Sequence, residues 1–264
     1  MARTHIEFIQ SQTIQPKSWV VEGLPTGART RILSIDLETG DSSELVNWDR
    51  AWEIDSGYFT CDIEFFVLSG CIQIGQFCLK SYTYGFFPAG VCIAAWRIEQ
   101  DTTVLWMPAA YPQFVNGSQS LPDAKQHLYI PSLSSEQLPW QPTLTPGFPP
   151  GAMRKTLRMD PDGGRSAWLL GCLPQFVEPF SEYHPMPEEE FVLQGSLTTQ
   201  AGQMTPGCYF WRPAFMPHAP AYTHTGYFAL VRGGNPHVSH RPWIPPFHTH
   251  YPWDLRSHTN IDCP

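Results

Sequence analysis

The stretch SEYHPMPEEEFVLQG, Ser181 to Gly195, sets one histidine and four carboxylates immediately around the start of an apolar run. Side chains two apart on an extended strand share a face, so Glu182 and His184 point one way and Tyr183 the other. A turn at Pro185-Met186-Pro187 returns the chain, with Glu188, Glu190 and Val192 on one face. His218, in GCYFWRPAFMPHAP, joins from a distant strand. Two imidazoles with one or two carboxylates suit iron(II), manganese or zinc, which take mixed nitrogen and oxygen donors and leave positions open. Without a metal the same groups are proton donors and acceptors, and clustered carboxylates raise one another's pKa toward neutrality.

The elements that must position these residues occur twice. GARTRILSIDLETGDSSELV (27–46) aligns with GAMRKTLRMDPDGGRSAWLL (151–170), pairing Gly27 with Gly151, Leu33 with Leu157, Asp36 with Asp160 and Gly40 with Gly164. IEFFVLSG, ending at Gly70, then aligns with EEEFVLQG, ending at Gly195. Two copies of one domain follow from this self-similarity. Their expected bounds are 16–107 and 137–233, with a linker rich in proline, serine and glycine between them and a Pro/His-rich wrapping tail over 234–264. Within each copy, short alternating or apolar runs are broken by Gly, Pro, Asp and Asn. This reads as all-β, and closely spaced antiparallel strands close most economically into a jelly-roll barrel.

The repeat also sorts the glutamates. Glu189 has a counterpart in Glu64, whereas Glu188 maps to Ile63, His184 to Phe59 and His218 to the vicinity of Ile93. Glu189 is therefore expected to be a structural carboxylate on the outer face, Glu188 the ligand, and Glu190 an inward-facing supporting group or general base. Copy 1 is expected to lack a site and to serve packing. Tyr209, Trp211, Phe215 and Tyr222 are expected to ring the mouth of the second barrel. Arg212 reads either as a cation orienting a carboxylate or enolate, or as a surface side chain stacked on Trp211.

The spacing His184, Glu188, Gly195 with the later His218 resembles the cupin signature, and the chain as a whole resembles a bicupin, two tandem jelly-roll barrels, of the type related to ChrR-like cupin domains. In the common pattern a histidine stands two residues before His184; here that position is Glu182. The resemblance implies a divalent metal, iron(II) ahead of manganese or zinc, held by Glu182, His184, Glu188 and His218, with Glu190, Arg212 and Tyr209 as catalytic candidates. It implies dioxygenase-like chemistry on an enol, diketone or hydroxyketone in the C-terminal barrel. A metal-free or redox-neutral cyclase or isomerase using the same pocket is the alternative, and a ligand- or metal-sensing module the third reading. His237, His240, His248, His250 and His258 form a second cluster, but His248-Thr249-His250 lacks the downstream Glu and Gly and sits among prolines that forbid a central strand.

Composition bounds the partners. A net charge of −8 with sixteen Lys and Arg thinly spread disfavours nucleic acid and anionic membrane surfaces. No segment has the apolar length of a membrane span, and the charged opening MARTHIEFIQ does not read as a signal peptide, so a cytoplasmic location is expected. Seven cysteines without a C-x-x-C pair read as reduced core thiols. The expected partner is a small-molecule substrate, and the oligomeric state stays open between monomer and homodimer.

Overall fold

The computed structural model describes residues 3–143, 148–218 and 220–234. It is all-β apart from three 3-10 turns among those residues. Two large sheets carry the architecture. The first orders its strands Ile130–Ser134, Thr83–Phe87, Ile63–Ile74, Trp96–Pro108, Ser42–Trp48, Arg29–Ile35 and Lys17–Ser18. The second orders them Ile6–Gln10, Cys208–Arg212, Glu188–Gly195, Tyr227–Gly234, Arg165–Cys172, Ala152–Arg158 and Gln141–Pro142. Repeat-matched strands occupy matching places: Ile63–Ile74 stands where Glu188–Gly195 does, and Arg29–Ile35 where Ala152–Arg158 does.

The outermost strand of each sheet comes from outside the repeat. Ile6–Gln10, N-terminal to the expected first domain, pairs with Cys208–Arg212 in the second sheet. Ile130–Ser134, inside the expected linker, pairs with Thr83–Phe87 in the first. The Pro-rich stretch is thus part of the sheet structure rather than only a connector. A smaller sheet orders Val177–Glu178, Ala221–Tyr222, Leu197–Thr199 and Gly202–Met204, and its Met204 and Leu197 pack in one core with Val192 and Phe210 of the second large sheet.

Some strands of the large sheets are buried on both faces, which explains unbroken apolar runs such as CYFWR, where all five residues are buried. One core fills the first half, with Trp19, Trp48, Trp52, Trp96 and Trp106 packed ring on ring. A second joins the two large sheets, setting Leu33, Leu45, Phe66, Tyr84 and Leu105 against Leu157, Leu169, Phe191, Tyr209 and Leu230. A third fills the second half around Val192, Met204, Phe210 and Tyr227.

Charge is buried between the sheets as well. Arg232 donates from Nε to Glu64 at 2.8 Å and from Nη1 to Glu189 at 2.5 Å. The Tyr84 and Tyr209 hydroxyls donate to Glu64 and Glu189, at 2.5 and 2.6 Å. Arg3 and Ser43 complete the shell of Glu189. Burial, the largest single effect, would raise both carboxyls, but Arg232 together with Arg158 and Tyr84 at Glu64, and with Arg3, Arg165 and Ser43 at Glu189, outweighs it, holding Glu64 below its ordinary value and Glu189 down to about 2. Glu189 is the structural carboxylate expected from the repeat, and its outer face is the junction between the sheets.

The Pro/His-rich tail with His237, His240, His248, His250 and His258 lies outside the described residues. Cys61, Cys71, Cys78, Cys92, Cys172 and Cys208 are free thiols. No helix among the described residues is long and apolar enough to cross a membrane.

Candidate metal centre

The residues of the motif converge at the inner face of the second large sheet. Glu182 and His218 sit opposite each other in an isolated antiparallel bridge. Glu188 begins the strand Glu188–Gly195, with Arg212 directly across from it. His184 lies between Glu182 and the Pro185–Pro187 turn, where its carbonyl accepts a hydrogen bond from the Phe215 amide at 2.7 Å. As strand parity requires, Glu182 and His184 are buried on one side while Tyr183 turns out against Phe215.

The donor atoms cluster tightly. The Nε2 atoms of His184 and His218 are 3.2 Å apart. Glu182 Oε1 lies 3.9 Å from the first and 3.8 Å from the second. Glu188 Oε2 lies 3.7 and 3.5 Å from the same two atoms. Nδ1 of His218 faces the Met216 carbonyl at 3.1 Å, so a proton on Nδ1 is hydrogen-bonded and the Nε2 lone pair is turned into the cluster.

The donor set fits a divalent metal. Atoms bound about 2.1 Å from one ion, at angles of about 90 to 110°, stand roughly 3 to 3.5 Å apart, close to the observed separations. Glu182, His184 and His218 alone bring their ligand atoms within 4.8 Å of one another. Burial drives the Glu188 carboxyl up from its ordinary value, against the pull of His184 and Arg212. An ion with two positive charges would add to the compensation that His184 and Arg212 give this buried carboxylate.

A cavity of ≈ 100 Å³ opens from these donors and is walled by Trp168, Phe176, Phe210 and Tyr227. Arg212 belongs to it: the guanidinium is buried, stacks 3.7 Å over the Phe210 ring and reaches within 4.0 Å of Glu188. The stacking partner is therefore Phe210 rather than Trp211. Glu190 also faces the cavity, fully buried, its carboxyl held well above the ordinary range by desolvation and by Glu188.

Tyr209 does not belong to the site. Within Cys208–Arg212 Phe210 and Arg212 face the cavity, so Tyr209 and Trp211 face the junction of the two sheets, where Tyr209 binds Glu189. Phe215 is exposed, and Tyr222 packs against the ring of exposed His224. Sequence reasoning missed the wall residues Trp168 and Tyr227, on strands without polar motifs, and Phe176, just before the strand Val177–Glu178. In the first half, Phe59, Ile63 and Ile93 stand where His184, Glu188 and His218 stand in the second, all inside the apolar core.

Comparison with known proteins agrees with this architecture. The structure of a "putative dioxygenase" from Nostoc punctiforme is 31% identical, covers 86% of this chain and 81% of its own, and superposes with a TM-score of 0.81. Oxalate decarboxylase from Lactobacillus farciminis shares the fold at 10% identity, with coverage of 89% and 88% and a TM-score of 0.59. Vicilin from hazelnut, Corylus avellana, does so at 10% identity, with coverage of 89% and 87% and a TM-score of 0.55. No curated protein matches the chain. The structural neighbours are of the cupin type. The family model described as Domain of unknown function (DUF4437) matches residues 12–235, nearly the whole length over which this all-β fold and its buried donors are built, and the chain belongs to that family.

Proposed function

We propose that this protein is a metal-dependent enzyme of the cupin type, acting in its C-terminal half on a small enol, diketone or hydroxyketone with dioxygenase-like chemistry. The observation that carries this reading is the cluster of four donor atoms, from Glu182, His184, Glu188 and His218, with each carboxylate oxygen 3.5 to 3.9 Å from the imidazole nitrogens, at the end of an aromatic-walled cavity. The described likeness to the Nostoc punctiforme protein supports it. Iron(II) is favoured over manganese or zinc for a mixed nitrogen and oxygen set. When bound, such an ion supplies Lewis acidity and access to oxygen chemistry.

The protein's own groups do the rest. The hydrogen bond at His218 Nδ1 fixes the ring and its tautomer. Arg212, buried beside Glu188, is placed to hold an enolate or carboxylate oxygen of the substrate. The apolar walls exclude water and strengthen both effects. A redox-neutral cyclase or isomerase is the second reading, favoured by Glu190: a buried carboxyl facing the cavity is placed to give or take a substrate proton.

The test is metal analysis of protein purified without a histidine tag, for wild type, His184→Ala and His218→Ala, alongside oxygen uptake with acetylacetone. About one divalent ion per chain in wild type, lost in both variants, supports the metal site. Unchanged metal content in both variants would overturn it. Turnover without oxygen uptake supports the redox-neutral reading, and tight ligand binding without turnover supports a sensor.

A further inference from the structure

The cavity is polar at more than its metal end. Sheet register builds its wall in rows. Glu188 and Arg212 form the first; Glu190 begins the second, with Trp168 two strands away. Arg154 stands in the third, opposite Leu170, and Tyr227 in the fourth, opposite Cys172. All of these side chains line the cavity.

In the last three rows three polar atoms have no hydrogen-bond partner among the described residues: Glu190 Oε1, Arg154 Nε and the Tyr227 hydroxyl, each buried from solvent. An unpaired buried polar atom costs about 1 to 3 kcal/mol, and such atoms are rare where nothing else serves them. Unlike the unpaired atoms of Ser34, Trp48, Trp96 and Trp106 elsewhere, these three stand on three successive rows of one cavity, with Arg212 Nε on the first, where a ligand in the cavity would satisfy them. Between them the wall is aromatic and apolar, shaped by Trp168, Phe210 and Leu170.

We propose that Arg154, Glu190 and Tyr227 are specificity-determining residues that read oxygen substituents spaced along the body of an unsaturated, polyhydroxylated ligand. Arg154 can only donate, whereas the Glu190 carboxyl and the Tyr227 hydroxyl do either, so hydroxyl groups satisfy all three. A ligand bearing several carboxylates is disfavoured by Glu178, Glu182, Glu188 and Glu190 on the same walls. This deepens the proposed function of the same cavity and rests on it only for which end holds the reacting atoms.

The test compares two isosteric probes, 1,3,5-trihydroxybenzene and 1,3,5-trimethylbenzene, binding to chelator-treated protein, followed by tryptophan fluorescence and calorimetry. Wild type is expected to bind the hydroxylated probe at least about tenfold more tightly. Arg154→Met and Tyr227→Phe should each narrow that ratio about fivefold, the effect of one buried hydrogen bond. Melting curves identify any variant that fails to fold, and Tyr227→Phe, which removes one oxygen, keeps the test decisive if Arg154→Met does. Equal affinity for the two probes in wild type, or an unchanged ratio in the folded variants, would each overturn the proposal. Failure of the metal reading shows in metal content instead and leaves the ratio untouched.

Discussion

The backbones of Glu182 and His218 are bonded to each other twice, each amide donating to the other's carbonyl at 2.9 Å. Two donors far apart in sequence are thereby fixed side by side by the main chain, before any ion is bound. The equivalent bridge in the first half joins Gly57 to Ile93, with the same paired hydrogen bonds at 2.7 and 3.2 Å.

Glu182→His should change which metal is preferred rather than abolish binding. It replaces a carboxylate with an imidazole on the same backbone bridge, giving three imidazoles and Glu188. Imidazole suits zinc and iron, carboxylate suits manganese, so the ratio of zinc to manganese affinity is expected to rise at least about tenfold. Competitive titration reads it, and an unchanged ratio would show that Glu182 is not a ligand.

Removing Arg232 should be among the most damaging single changes. Arg232→Met leaves Glu64 and Glu189 buried without the cation they share, a loss of about 3 to 5 kcal/mol at neutral pH. The sign with pH follows from Glu64, whose folded pKa is lowered: its contribution is fully present above the ordinary carboxylate value of 4.5 and is lost as pH falls through the lower folded value. Denaturant unfolding should therefore show the gap between wild type and variant narrowing below about pH 4.5. A gap constant from pH 7 to 3 would exclude this linkage.

Gly195 cannot carry a side chain. Its φ is +72°, and an added Cβ would stand 2.1 Å from the Gly226 carbonyl oxygen, a backbone atom with little freedom to move. Gly195→Ala is expected to cost about 2 kcal/mol or more. Chemical denaturation measures it, and a loss under about 0.5 kcal/mol would contradict the geometry.

Deleting residues 1–10 should destabilise the half that holds the donors. The Ile6–Gln10 strand covers the free edge of Cys208–Arg212, and Arg3 reaches both Asp41 and Glu189. The melting midpoint is expected to fall by about 6 °C or more, with aggregation through the uncovered edge. Light scattering and calorimetry check both, and an unchanged midpoint would show the strand to be dispensable.

Much of this could be read from particular residues. His184, Glu188 and His218 carried their spacing, and strand parity placed Glu182 beside His184 and Tyr183 away from it. Parity failed at Tyr209 because it says which side chains share a face, not which face is the cavity. Where both faces are buried and the run is CYFWR, alternation of polarity gives no hint. Arg232 was equally silent: its partner Glu64 is 168 residues away, and one arginine near the end of an apolar strand looks like a solvated terminus. Arg154 and Tyr227 became visible only when register aligned them along one wall.

The first half's tryptophan-packed core has a consequence for the second. A cluster of ionisable groups held out of water is a standing liability, and a domain as small as either half has little margin to tolerate it alone. Here the two halves are welded along a continuous apolar seam, so unfolding one exposes the flank of the other. The apolar first half acts as ballast for the second, whose buried cluster of ionisable groups is held in place partly by that shared seam.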